Sequence, residues 1–174
     1  DLTYANCEDL KRASGKSLVR AFDHPKFFGF TLATAIGRQD PANREYYLHA
    51  SPAAIGTIAY IAYETRRLHE EMKTNGERFV PLEITALVMP RDVEEKGANG
   101  KGEISHCSGQ VFDISYRNLP PHQKEALEFI LEDLGWHGYL GFVAESAAET
   151  SYHVGAAPTA RDFFTRIYEE AVKS

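Results

Sequence analysis

The feature that most constrains this chain is a change of pattern at Thr74-Asn75-Gly76. Before it, Ser51-Pro52 reads as an N-cap with proline at the first helical position. The apolar residues from Ala53 to Tyr63 then run into a charged stretch, Glu64 to Lys73, that reads as a solvated helix face. After it, Arg78 to Met89 is rich in β-branched and apolar residues and reads as a strand. Helical patterning dominates the first third, where Cys7 to Phe22 carries periodic apolar residues and an aromatic and proline tract runs from Phe22 to Tyr47. Beyond Met89, Arg91 to Gly102 reads as a charged loop. Short strands are expected at Val111–Ser115, Tyr139–Ala144 and Tyr152–Ala156, with a polar turn over Ser146 to Ser151. Helices are expected from Pro120 to a stop at Gly135 and from Thr159 to Val172. The prediction is an α+β fold: N-terminal helices, then a small mostly antiparallel sheet with helices packed against it.

The 174 residues suit one domain, 1–174, with a helical part over 1–80 and a core over 81–174. A net charge of −6 argues against a phosphate-tracking nucleic-acid binder and against a polybasic membrane-surface module. No apolar run reaches the roughly 20 residues of a membrane span. A hydrophobic fraction of 43% is enough for a real core. The chain opens at Asp1 rather than Met, which is compatible with a removed leader. Its two cysteines, Cys7 and Cys107, allow one disulfide and exclude a four-cysteine zinc site. Metal chemistry would therefore come from the seven histidines.

One segment concentrates such chemistry: Ser105-His106-Cys107-Ser108-Gly109-Gln110-Val111-Phe112-Asp113. Gly109 permits a tight turn between His106, at a loop end, and Asp113, on the following strand. Imidazole nitrogen and carboxylate oxygen suit a borderline-soft ion such as Zn²⁺. Two ligands hold a metal weakly, and His153, on the strand Tyr152-His153-Val154, is the best-placed third.

The string His-x-x-Gly-x-x-x-Asp, followed by a helix, a strand ending in Glu-Ser and a His on the next strand, resembles the zinc D,D-peptidase and Hedgehog superfamily. The similarity runs from Leu82 to Ala157, through Val111–Ile114, Glu125–Leu134 and Gly138–Ser146. The resemblance implies a fold of that type and a Zn²⁺ held by His106, Asp113 and His153, with a fourth position left for water. It also implies hydrolysis of a peptide or amide, with peptidoglycan stem peptides as the substrate class and a secreted or periplasmic setting. The family peptidases carry a general-base Glu three residues before the last His. Thr150 stands there in this chain, so the role falls to Glu145 first and Glu149 second. Arg91, after the strand that ends at Met89, matches the family's carbonyl-binding arginine.

Each residue also has a plainer role open to it. His106 can be a surface loop residue, His153 a hydrogen-bonded strand histidine, and Glu145 and Glu149 turn-solubilising charges. Arg91 can be one charge among those of Arg91 to Lys96. Cys107 is a small hydrophobe or a partner for Cys7 rather than a nucleophile, because sequence neighbours on an extended segment point apart. His122 and His137 are expected to be exposed, His24, His49 and His69 to be ordinary, and Phe22, Phe27, Phe28 and Phe30 to be core. The alternative function is a zinc-stabilised binding module of the same fold without hydrolysis.

Overall fold

A computed structural model describes residues 2–22, 29–72, 75–97, 105–145 and 150–173. Helix α1 (Cys7–Ala13) starts at Asn6, whose side chain accepts the Asp9 N–H. Strands β1 (Val19–Arg20) and β3 (His49–Ala50) form a small antiparallel ladder, and β2 (Phe30–Leu32) lies between them in sequence. Helix α2 (Pro52–Glu71) opens as expected, with the Ser51 hydroxyl accepting the Ala54 N–H and Pro52 in the first turn. Then come β4 (Leu82–Ala86), α3 (Arg91–Gly97), β5 (Val111–Ser115), α4 (Pro121–Trp136), β6 (Leu140–Ala144), β7 (Ser151–Ala156) and α5 (Arg161–Lys173).

Five strands form one sheet in the order β2-β4-β5-β7-β6. The β2–β4 pair is parallel and the other three pairs are antiparallel. Alternation along each strand separates two faces. Ile84, Phe112, Ile114, Tyr152 and Val154 join the main core, together with Ile55 and Ile58 of α2 and Leu127 and Leu131 of α4. Asp113 and His153 sit on strands of that sheet at the alternate positions, and so on its opposite face. The helical layer is tightly packed. A Cβ added at Gly56 of α2 would lie 1.9 Å from the Phe164 carbonyl oxygen of α5, so the two helix backbones meet where only glycine fits.

Several expectations need correction. The Cys7 to Phe22 helix ends at Ala13, because Gly15 turns the chain at φ 75° and β1 begins at Val19. The first third is therefore less helical than its periodicity suggests, and β2 makes it part of the main sheet by pairing Phe30 with Leu82. The expected loop at Arg91 instead begins as a helix, α3, with Asp92 and Glu94 in its first turn and Lys96 in its last. Helix α4 does not stop at Gly135; it runs to Trp136, and the left-handed residue is Gly138, φ 77°. Cys7 and Cys107 are both free thiols, and Cys107 is buried. His122 and His137 are exposed, whereas His49 and His69 are buried and hydrogen-bonded, to Ser14 and Glu77 respectively. Phe30 is buried but Phe22 is substantially exposed; His24, Phe27 and Phe28 lie outside the described residues.

Candidate metal centre

The site begins with a short 3-10 turn, His106–Ser108, closed by Gly109 at φ 70°. A side chain at Gly109 would be strained in that conformation and would meet Leu18 at 2.7 Å. The turn delivers the chain into β5 with the His106 ring against the open sheet face. There Asp113 of β5 stands directly opposite His153 of β7, which in turn faces Val143 of β6.

Three donor atoms converge. Asp113 Oδ1 lies 3.3 Å from His106 Nε2 and 2.8 Å from His153 Nδ1. One ligand atom from each residue falls within 4.8 Å of the others. Donors on a tetrahedral zinc ion, each about 2.0–2.1 Å from it, stand about 3.3 Å apart. The cluster is thus near coordination spacing, and this triad could hold a metal ion. His106 and Asp113 are buried, and His153 is partly open to solvent. A buried carboxylate without partners would be costly, and here two imidazoles satisfy it.

The surroundings set the ring orientations. His106 Nδ1 donates to the Leu87 carbonyl oxygen at 2.8 Å, which turns Nε2 toward Asp113; protonated, the ring donates Nε2–H to that carboxylate, and neutral, it offers Nε2 as a metal ligand. His153 Nε2 is 2.9 Å from the Ser105 hydroxyl. That hydroxyl can donate or accept, so it satisfies the outer nitrogen in either tautomer. Burial pulls the His106 pKa down, but the hydrogen bond and charge of Asp113, with the charge of Glu94, outweigh it and the net shift is upward. Burial likewise pushes Asp113 up, and the hydrogen bonds from His106 and His153 reverse it, leaving its carboxyl below the usual range.

Glu145 follows β6 and reaches the same face. Its Oε1 is 3.7 Å from His153 Nδ1, and its Oε2 accepts the Ser151 hydroxyl at 3.1 Å. Glu149 lies outside the described residues. Thr150 is described, and holds a left-handed φ of 52°. Arg91 is exposed at the start of α3; its N–H donates to the Tyr4 carbonyl, and its charge acts to lower the Cys107 pKa. Burial and the Glu94 charge nevertheless raise the Cys107 pKa, away from the thiolate that a nucleophile needs.

Two supporting residues had no local signal. Glu94 reads as one acid in a charged stretch, yet its carboxylate accepts the N–H groups of Ser105, His106 and Cys107. Ser105 adjoins His106 in sequence, but its contact is with His153, 48 positions away.

Among the described residues, no helix is long and apolar enough to cross a membrane. No protein-family model, curated protein or solved structure matches the chain.

Proposed function

We propose that this chain is a zinc-dependent peptidase or amidase acting on peptidoglycan stem peptides. The observation that carries the proposal is the convergence of His106, Asp113 and His153 on the open sheet face, with a second carboxylate, Glu145, 3.7 Å from His153. Two imidazoles and a carboxylate are the ligand composition of a hydrolytic zinc site, and the Leu87 and Ser105 contacts are the outer contacts such ligands need. The resemblance of His106 to His153 to the D,D-peptidase and Hedgehog superfamily supports the same choice.

His106, Asp113 and His153 would hold the zinc, which would supply Lewis acidity toward an amide carbonyl and toward water. The chain's own residues do the rest. Glu145 accepts the proton of the attacking water on the oxygen facing His153 and returns it to the leaving amine. Its other oxygen is held by Ser151, which fixes the carboxylate's direction. Glu149 is the second choice for the base. Arg91, whose charge is felt at Cys107 beside His106, is the cation suited to steady the substrate carbonyl. A peptidoglycan substrate would put the protein outside the cytoplasm, in a secreted or periplasmic setting.

Two measurements test the proposal. Elemental analysis of wild type and His106→Ala should find one zinc per chain, lost in the variant. Cleavage of stem peptides should then fail in Glu145→Gln while zinc content is unchanged, and survive in Glu149→Gln. A zinc-bound wild type that cleaves no peptide would instead favour the binding module.

A further inference from the structure

The sheet ends at β6, which pairs with β7 on one side only. The Tyr139 carbonyl accepts the Ala157 N–H, and the Glu145 N–H donates to the Ser151 carbonyl, so Tyr139, Gly141, Val143 and Glu145 face β7. Antiparallel hydrogen bonding alternates along a strand, and Leu140, Phe142 and Ala144 therefore turn their N–H and C=O groups outward. Among the described residues, none of these groups has a hydrogen-bond partner. Sheet edges are commonly guarded by lysine, proline or a bulge. Leu140 to Ala144 contains no charge and no proline, and its register against β7 is unbroken. The two faces of the strand differ. Leu140 and Phe142 pack on the core, whereas Gly141 and Val143 lie on the open face, where Val143 is 60% exposed.

Helix α4 runs along this edge on the core side. Toward one end, its Glu128 carboxylate accepts the hydroxyl of Tyr152, the residue paired with Ala144. Toward the other, a Cβ at Gly135 would lie 3.7 Å from the Leu140 carbonyl oxygen. The helix carries four acids, Glu125, Glu128, Glu132 and Asp133, against one lysine, Lys124, which is paired with Glu128. Glu132 follows Glu128 by one turn, on the same flank. Burial, the Glu128 hydrogen bond and charge, and the charge of Glu132 raise the Tyr152 pKa, so Glu132 stands beside the same tyrosine. Glu132 is exposed and has no ion pair among the described residues.

We infer that β6 takes an extended basic segment of a partner protein as an added strand, with its lysines or arginines toward Glu132 of α4 and its alternate, apolar side chains over Gly141 and Val143. Main-chain hydrogen bonds to the outward groups of Leu140, Phe142 and Ala144 would supply affinity, and the alternating side chains would supply selectivity. Charge decides the occupant. A second copy of this chain has net charge −6 and would set its own acidic α4 on the same flank, whereas a basic strand is complementary to it. The inference is independent of the metal centre, whose residues belong to β5, β7 and the turn before β5.

Calorimetry and amide hydrogen exchange test this with three probes: acetyl-Val-Lys-Val-Lys-Val-Lys amide, the same peptide with every backbone amide N-methylated, and the analogue with Glu in place of Lys. Wild type should bind the first probe about tenfold or more tightly than either of the others. Exchange at the Phe142 and Ala144 amides should slow when it binds. Ala144→Pro removes one outward N–H and leaves the β7 ladder intact, a substitution that sheet edges tolerate. It should weaken the basic probe about tenfold. Glu132→Gln should weaken it about two- to fivefold, the scale of an exposed ion pair, and added salt should erase that difference. Circular dichroism checks that Ala144→Pro folds, and the N-methylated probe tests the same ladder on wild type. No binding of the basic probe, equal binding of either control probe, or full affinity in either variant would overturn the inference. Protection of Phe142 and Ala144 without peptide, rising with protein concentration, would assign the edge to a second copy and overturn it as well.

Discussion

The Glu94 carboxylate accepts the His106 backbone N–H at 2.9 Å, which makes an acid on α3 the clamp for the turn that carries a proposed metal ligand. The same oxygen takes the Ser105 N–H at 3.0 Å, and the other takes Cys107 at 3.1 Å. Three donors at the start of the 3-10 turn have no partner within that turn, and one ionised side chain satisfies them. Because His106 Nδ1 is also held by Leu87, both the backbone and the ring of this residue are positioned from outside its own segment.

Glu94→Ala should therefore weaken metal binding without removing a ligand. Loss of such outer support typically costs about 10–100-fold in affinity. Competition with a chromophoric chelator would read the change, and an unaltered affinity would show that the turn holds itself.

Asp113→Asn keeps the shape of the central residue and removes its charge. The buried oxygen contacts both imidazoles, so one substitution weakens both links. Zinc stoichiometry should fall well below one per chain after gel filtration. The apo protein should lose about 1.5–3 kcal/mol, the scale of a charge-assisted hydrogen bond, in urea denaturation.

Gly56→Ala should destabilise the helical layer, since its Cβ would stand 1.9 Å from the Phe164 carbonyl. Neither atom belongs to a flexible side-chain end, so α2 and α5 must separate. A cost of about 3 kcal/mol is expected, or a fall in Tm of about 6–12 °C followed by circular dichroism. Metal content per folded chain should be unchanged, because the site lies on the other side of the sheet.

Acid stability should depend on Glu77, remote from the metal centre. Its partial burial disfavours the charge, but hydrogen bonds from His122 and His69 and the Gln123 N–H more than compensate, and its pKa is lowered on folding. A carboxyl with a depressed folded-state pKa contributes its stability above its unfolded value, near about 4.3, and loses it as pH falls through the folded value. Glu77→Gln should consequently lower the urea midpoint at pH 7 and flatten its decline below pH 5. Parallel declines for the two proteins would sink this assignment.

Elements set by local patterning were legible without coordinates. Ser51-Pro52 marks the start of α2 because an N-cap hydroxyl and a proline act within one turn. Strand β5 has the bounds Val111–Ser115 that were expected, and its alternation puts Asp113 on the face opposite Phe112 and Ile114. His106 and Asp113 could be grouped because they flank a glycine turn, and His153, on an expected strand, joined them through the family resemblance; that its strand lies beside that of Asp113 is a result of the fold. Gly135 and Gly138 show the limit of local signals. Both can end a helix, and α4 passes the first and turns at the second.

What pairs with what was decided by the tertiary structure. Nothing near Phe30 indicates that it will lie beside Leu82 in a parallel ladder, because that hydrogen bonding depends on a partner strand 52 positions away. Nothing near Glu94 marks it as the clamp of residues 105–107, and nothing near Phe142 marks its strand as the edge of the sheet until β7 pairs with one side of it. Short-range sterics and capping act within a few residues and can be read from neighbours. Register, close backbone approach and the supports of a buried carboxylate are long-range contacts, and they exist only once the chain has folded around them.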